Sequence, residues 1–201
     1  MVYVSRKTRD WLGRALVWVI VGAATFASFA LVQDCVCAPP AEACDETCQV
    51  TAAIQRLQPA ASERRAGRLA EIIVSAAEES DIDPLLLVAL AMRESSFSPA
   101  VEALTIRGSA GELGLLQVHP RNGRALAMRP EDCERDLPTA RCQVVTGARW
   151  LAYCFETCPG SVWRGVVHYG TGQCRSETAA RADRAAAVAA SYYAQAGGTR
   201  W

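Results

Sequence analysis

The chain has 201 residues, 51% of them hydrophobic, with 21 basic and 21 acidic side chains and nine cysteines. That length suits one domain with a sizeable core plus a flanking segment. A formal charge of zero argues against a dedicated nucleic-acid binder, whose footprint is clustered Lys and Arg, and 14 Gly with 9 Pro excludes collagen-like and low-complexity classes.

The charge is not evenly spread. Residues 1–14 carry Arg6, Lys7, Arg9 and Arg14 against Asp10, whereas residues 33–201 carry 17 basic and 20 acidic side chains. Between them, the 18 residues from Ala15 to Val32 have no charge. At about 1.5 Å per residue they would extend roughly 27 Å as a helix, enough to cross the hydrocarbon core. The expectation is a basic cytoplasmic N-terminus at 1–14 and a transmembrane anchor at 15–32, or a signal peptide cleaved near Ser28-Phe29-Ala30. Either way the remainder is exported, facing the periplasm or cell wall, or secreted if the helix is cleaved.

Export places the cysteines in an oxidising space where disulfides persist. Cys44 with Cys48, and Cys154 with Cys158, are four apart, so one helical turn would bring each pair to one face. Cys133 and Cys142 flank a charged, Pro-containing loop that their pairing would staple. An odd count leaves at least one thiol free, modified or paired between chains. Zinc at Cys35-x-Cys37 and Cys44-x3-Cys48 is the rival, with poor spacing and no nearby His; no metal and no cofactor are expected.

Residues 33–60 read as a Cys- and Pro-containing tether with a short helix around Glu42–Leu57, and residues 61–201 as a mainly α domain. Leu69, Ile72, Ile73, Ala76 and Ala77 recur at helical spacing, with Glu71, Glu78 and Glu79 on the other face. Asp83-Pro84 restarts a helix as N-cap and first residue. Its run from Leu85 to Met92 is apolar nearly all round, so the helix should be central and buried, ending near Glu94. Gly108–Gly114 reads as a loop. Helical stretches follow at 144–153, 161–167 and 178–194, without strand pattern or repeat.

Glu94 closes the most hydrophobic helix, where burial and the negative end of the helix dipole both oppose a charged carboxylate. A carboxylic acid held protonated is what general-acid cleavage of a glycosidic bond requires. An exposed helix-end Glu beside Ser95 and Ser96 is the plainer alternative.

Four blocks follow one another along the chain. The first is the helix ending Glu94-Ser95-Ser96-Phe97-Ser98-Pro99. Next come Gly111-Glu112-Leu113-Gly114-Leu115-Leu116-Gln117-Val118, then Gly147-Ala148-Arg149-Trp150-Leu151, then Val167-His168-Tyr169-Gly170-Thr171-Gly172. In this order they resemble the soluble lytic transglycosylases, lysozyme-like enzymes that cleave peptidoglycan. The resemblance implies a lysozyme-like α fold over about residues 62–195, with Glu94 as sole acid/base. It implies cleavage between N-acetylmuramic acid and N-acetylglucosamine, leaving 1,6-anhydromuramoyl ends. It also marks Ser95, Phe97, Gly114, Leu115, Gln117, His168 and Tyr169 as substrate-binding candidates.

Each block also has a plain physical reading. Gly114 allows close backbone approach, and Gln117 offers a donor and an acceptor for amino-sugar groups. Tyr169 combines a flat face with a hydroxyl within reach of Glu94 or substrate, or is simply a core residue. Ser95 positions substrate or only bonds backbone.

The departures from the family pattern are Gly170 where Asn is usual, His168 for Ala, and Glu112 for Ala. Glu112 is a candidate second carboxylate that would favour hydrolysis, with a loop salt bridge as its other role. Three alternatives stay open. They are a hydrolytic muramidase or phage-type lysis enzyme with a releasable anchor, a non-catalytic glycan-binding or secretion-apparatus scaffold, and a peptidase using Cys154 or Cys158 with His168. The partners implied are glycan strands, the membrane through the N-terminal helix, and secretion or envelope machinery.

Overall fold

The computed structural model of the protein describes residues 44–199. Helices account for the regular structure there: α1 Glu46–Leu57, α2 Glu63–Ser80, α3 Pro84–Ser95, α4 Pro99–Glu102, α5 Gly123–Ala127, α6 Ala140–Thr157, α7 Val162–Thr171, α8 Glu177–Arg181 and α9 Arg184–Ala196. An isolated antiparallel backbone pair joins Leu113 to Val118. The predicted anchor at 15–32, the basic segment before it, the tether up to residue 43, Cys35 and Cys37 all lie outside the described residues. Among those described, no helix is long and apolar enough to cross a membrane.

Helix α3 is the centre of the body. Asp83 caps it by accepting from the Leu85 amide at 2.8 Å, and Pro84 occupies the first turn, where a missing N–H costs nothing. Leu86 through Ala91 are all buried, and each of the larger side chains contributes roughly 1.5–3 kcal/mol by leaving water. α1, α2 and α9 pack around it. Asp83 also accepts from the Tyr193 hydroxyl of α9 at 2.5 Å, so one carboxylate caps α3 and ties it to its main neighbour. Helix α6 packs between α2 and α7 and carries the site-bearing loops on its surface.

Local signals locate most elements, and tertiary packing decides the rest. α1 begins at an Asp45 cap and buries Val50, Ala53, Ile54 and Leu57, so a helix expected within the tether is part of the core. The stretch expected as one helix over 178–194 is two, because the Asp183 side chain accepts from Ala185 and Ala186 and begins a new helix. Helix α6 is longer than the expected 144–153, running from a Thr139 cap to Thr157.

The cysteine pairing is Cys44–Cys48, Cys133–Cys142 and Cys158–Cys174. The first two follow the spacing. The expected Cys154–Cys158 pair is wrong: Cys158 sits at the C-cap of α6 with non-helical backbone, so it leaves the face on which Cys154 points inward. Cys154 is fully buried and free, and burial pushes its thiol up to about 12. With Cys158 oxidised and Cys154 locked as a thiol, neither supplies the thiolate that peptidase chemistry needs.

Replacing Asp83 with Ala removes a cap and a charge-assisted hydrogen bond together. It should lower the unfolding free energy by about 2–3 kcal/mol in denaturant titration.

Candidate active site

A cleft of about 240 Å³ opens where α3 ends. Glu94 lies in it from the last turn of α3, Trp150 from α6, and Tyr169 with Gly170 from α7. The loop between α4 and α5 supplies the opposite wall through Ser109, Glu112, Gln117, His119 and Asn122. No Lys or Arg lines it, so the cleft offers carboxylates, amides, hydroxyls and an aromatic face. Those groups suit an uncharged, hydroxyl-rich polymer better than a polyanion.

The end of α3 is built to present Glu94. Ser96 and Phe97 both take left-handed backbone, with φ of 51° and 50°, which stops the helix at Ser95, one residue after Glu94. For a bulky residue such as Phe97 that conformation is unfavourable, and complete burial of its ring holds it there. Ser95 is buried: its hydroxyl donates to the Ala91 carbonyl at 2.9 Å and accepts from the Phe97 amide at 3.2 Å. The Ser96 carbonyl accepts from Gln58, just past α1, at 2.8 Å. The Glu94 side chain is 21% exposed and forms an ion pair with Arg93. Its burial is thus less complete than the apolar run implies, and a guanidinium stands beside it.

The loop over 113–118 is the second fixed part. Leu113 and Val118 exchange both backbone hydrogen bonds, at 2.9 and 3.0 Å, closing a tight turn with Gly114 at φ +68°. A Cβ at Gly114 would collide with the Gln143 side chain, so glycine is required here for backbone shape and for Gln143, not for approach of a polymer. Gln143 of α6 is fully buried. Its carbonyl accepts from the Leu115 amide at 3.0 Å, and its NH₂ donates to the carbonyls of Glu102 and Leu137 at 2.8 and 3.1 Å. One carboxamide therefore joins the end of α4 to two separate loops. Leu116 packs onto Gly147 of α6, where any Cβ would collide with it. The Leu116 carbonyl accepts from the Tyr169 hydroxyl at 2.5 Å. Burial first, and the Glu94 charge second, push the Tyr169 phenol well above its ordinary range, so it stays protonated and keeps donating.

The residues marked in the sequence therefore divide. Glu94, Glu112, Gln117 and Tyr169 meet in the cleft. Gln117 also donates to the Gly114 carbonyl at 2.8 Å. Glu112 accepts from the Ala110 amide at 2.9 Å, so its loop role is a hydrogen bond rather than a salt bridge, while it still faces the cleft. Phe97 and Leu115 are fully buried and anchor their loops in the core, which corrects their reading as substrate contacts. Ser95 likewise serves backbone, and Gly114 does not line the cleft.

His168 is a further correction. One turn position before Tyr169, it points the other way, with Nδ1 2.9 Å from the Cys158 sulfur and the ring edge-on to Trp150. Burial holds its imidazole below the ordinary range, against a backbone hydrogen bond at Cys154 that pulls it up. Cys158, His168 and Cys174 gather as a metal-ligand set would, but the two sulfurs are bonded to each other and offer no thiolate. Ser109, His119, Asn122 and Trp150 were missed. Trp150 lay inside a matched block, and His119 directly follows Val118; the sequence carried no comparable mark for the other two.

The whole constellation falls within one match to a known family. Residues 71–191 fit the family model described as Transglycosylase SLT domain. The chain belongs to that family. Neither a curated protein nor a solved structure matches it. Membership in the SLT transglycosylases makes the protein a member of a transglycosylase enzyme family whose domain acts on peptidoglycan by lytic transglycosylase-type cleavage. The mainly helical body agrees with that domain.

Gln143 is the test of how the SLT site is assembled. Gln143→Leu fills the same space but strands one amide and two carbonyls. Unfolding free energy should fall by about 3 kcal/mol, as read from denaturant midpoints.

Proposed function

We propose that the protein cleaves the β-1,4 bond between N-acetylmuramic acid and N-acetylglucosamine, using Glu94 alone as acid and base. The observation that carries this reading is the placement of Glu94. It ends a buried helix, in a cleft without cations, opposite hydrogen-bonding groups suited to amino sugars.

Glu94 gives its proton to the glycosidic oxygen, and the C1–O bond breaks with its electron pair passing to that oxygen. The substrate's own acetamido group and the dipoles of the cleft stabilise the cationic sugar. Glu94, now a carboxylate, takes the proton of the muramoyl 6-hydroxyl as that oxygen bonds to C1, closing a 1,6-anhydro ring. Gln117 and Tyr169 position the strand, Tyr169 with its ring since its hydroxyl is committed to Leu116. No cofactor or metal takes part in the scheme.

Glu112 supports a second reading. It is a carboxylate on the wall of the same cleft, and a base in that position would activate water and leave ordinary reducing ends. We also propose that the domain works outside the cytoplasm, carried there by the apolar segment at 15–32, retained as an anchor or cleaved. The three disulfides among the described residues fit an oxidising space.

Glu94→Gln keeps the shape and removes the proton. Release of soluble fragments from purified sacculi should fall by roughly 10²–10⁴-fold in a variant that circular dichroism shows to be folded. Wild-type activity in that variant rejects Glu94 as the acid/base. Binding to sacculi without fragment release by the wild type would instead favour a scaffold.

A further inference from the structure

We propose that Arg93 is the positioning residue of this site: its guanidinium orients the Glu94 carboxylate and stabilises the negative charge that proton donation leaves there. The proposal rests on the reading of Glu94 as acid/base, and it concerns a residue to which no matched block gives a role.

The geometry is specific. Nη2 of Arg93 donates to Oε1 of Glu94, its direct chain neighbour. Arg93 is 9% exposed and Glu94 21%, and Glu94 lines the cleft while Arg93 does not. The acid therefore faces the substrate side with its cation behind it. Nη1 lies 3.5 Å from the Ala185 carbonyl, in the first turn of α9, so the guanidinium is held from a second helix. Gly170 is the cleft residue next to it, where a Cβ would sit 3.9 Å from Nη2. With glycine at that position, no side chain at 170 competes for the carboxylate. Tyr169 is close enough to feel both charges, yet its hydroxyl is bonded to Leu116. Among the described residues, the hydrogen-bond partner of the Glu94 carboxylate is Arg93.

Packing alone does not account for this arginine. An arginine side chain only 9% exposed is costly unless its charge is paired, and an apolar side chain of similar length would fill the space without that cost. The charge matters to the group it touches. As the Glu94 proton moves to the glycosidic oxygen, negative charge develops on the carboxylate, and a donor already aimed at Oε1 stabilises it without rearrangement. Holding Oε1 also leaves Oε2 for proton transfer in both half-reactions. This contribution belongs to the transition state and not to substrate binding, so it should appear in kcat and not in KM.

The test is steady-state kinetics on soluble, uncrosslinked glycan strands with the wild type, Glu94→Gln, Arg93→Met and Arg93→Lys. Arg93→Met should lower kcat by roughly 10- to 100-fold, within the 10²–10⁴-fold that acid–base catalysis supplies as a whole. KM should stay within about twofold, as expected for an interaction that strengthens in the transition state, and Arg93→Lys should recover part of the loss. Should Arg93→Met not fold, Arg93→Gln is read by the same kcat and KM criteria. Wild-type kcat in the methionine or glutamine variant, a loss confined to KM, or a lysine variant no better than methionine would overturn the proposal. If Glu94→Gln is inactive while Arg93→Met is fully active, only the role of Arg93 falls. If Glu94→Gln is active, the reading of Glu94 falls with it.

Discussion

A helix apolar on nearly every side is stable only when other helices enclose it, and α3 imposes that condition on the whole body. α1, α2 and α9 surround it, and Asp83 both caps it and accepts from Tyr193 of α9. Its other end must emerge somewhere, and it does so through two consecutive left-handed residues, Ser96 and Phe97, with Phe97 driven into the core. The backbone energy stored in that turn is offset by burial of an aromatic ring. The result is a carboxylate at the mouth of a rigid helix, which is the kind of support an acid/base residue needs.

The opposite wall is held by polar bonds rather than apolar packing. Gln143 satisfies backbone groups from two loops and from the end of α4, and Tyr169 pins Leu116. Three of the four sequence blocks therefore meet at one turn: the Gly111–Val118 loop, the α6 block around Gly147 and the α7 block around Tyr169. Their separation along the chain hides this, since the contacts are made by a backbone carbonyl, a glycine surface and a buried carboxamide. Gln143 itself lay outside every block.

This division explains what was legible in the sequence. Asp83-Pro84 and the apolar run after it announce α3 because capping and burial are local signals. Glu94, Gln117 and Tyr169 stand out because their chemistry is unusual for their surroundings. Phe97 and Leu115 were misread because a residue inside a site motif can hold the loop rather than touch the ligand, and only packing tells the two apart. His168 and Cys158 were misread because the direction of a side chain near a helix end depends on where the helix stops. α6 stops at Thr157, which turns Cys158 toward Cys174 and leaves Cys154 in the core. The split at Asp183 was set by a cap that composition alone does not rank, whereas the short helix expected around Glu42–Leu57 is present at Glu46–Leu57, begun by its Asp45 cap.

The cleft holds two carboxylates in different settings. Glu94 has a cation behind it, whereas Glu112 accepts from its own loop's Ala110 amide. Whether one or both act is written in the products, because a lone acid/base closes an anhydro ring and a second base delivers water. Mass spectrometry of the fragments that the wild-type protein releases from intact peptidoglycan is the most direct measurement. The account predicts 1,6-anhydromuramoyl ends throughout; ordinary reducing ends as the main product would contradict it.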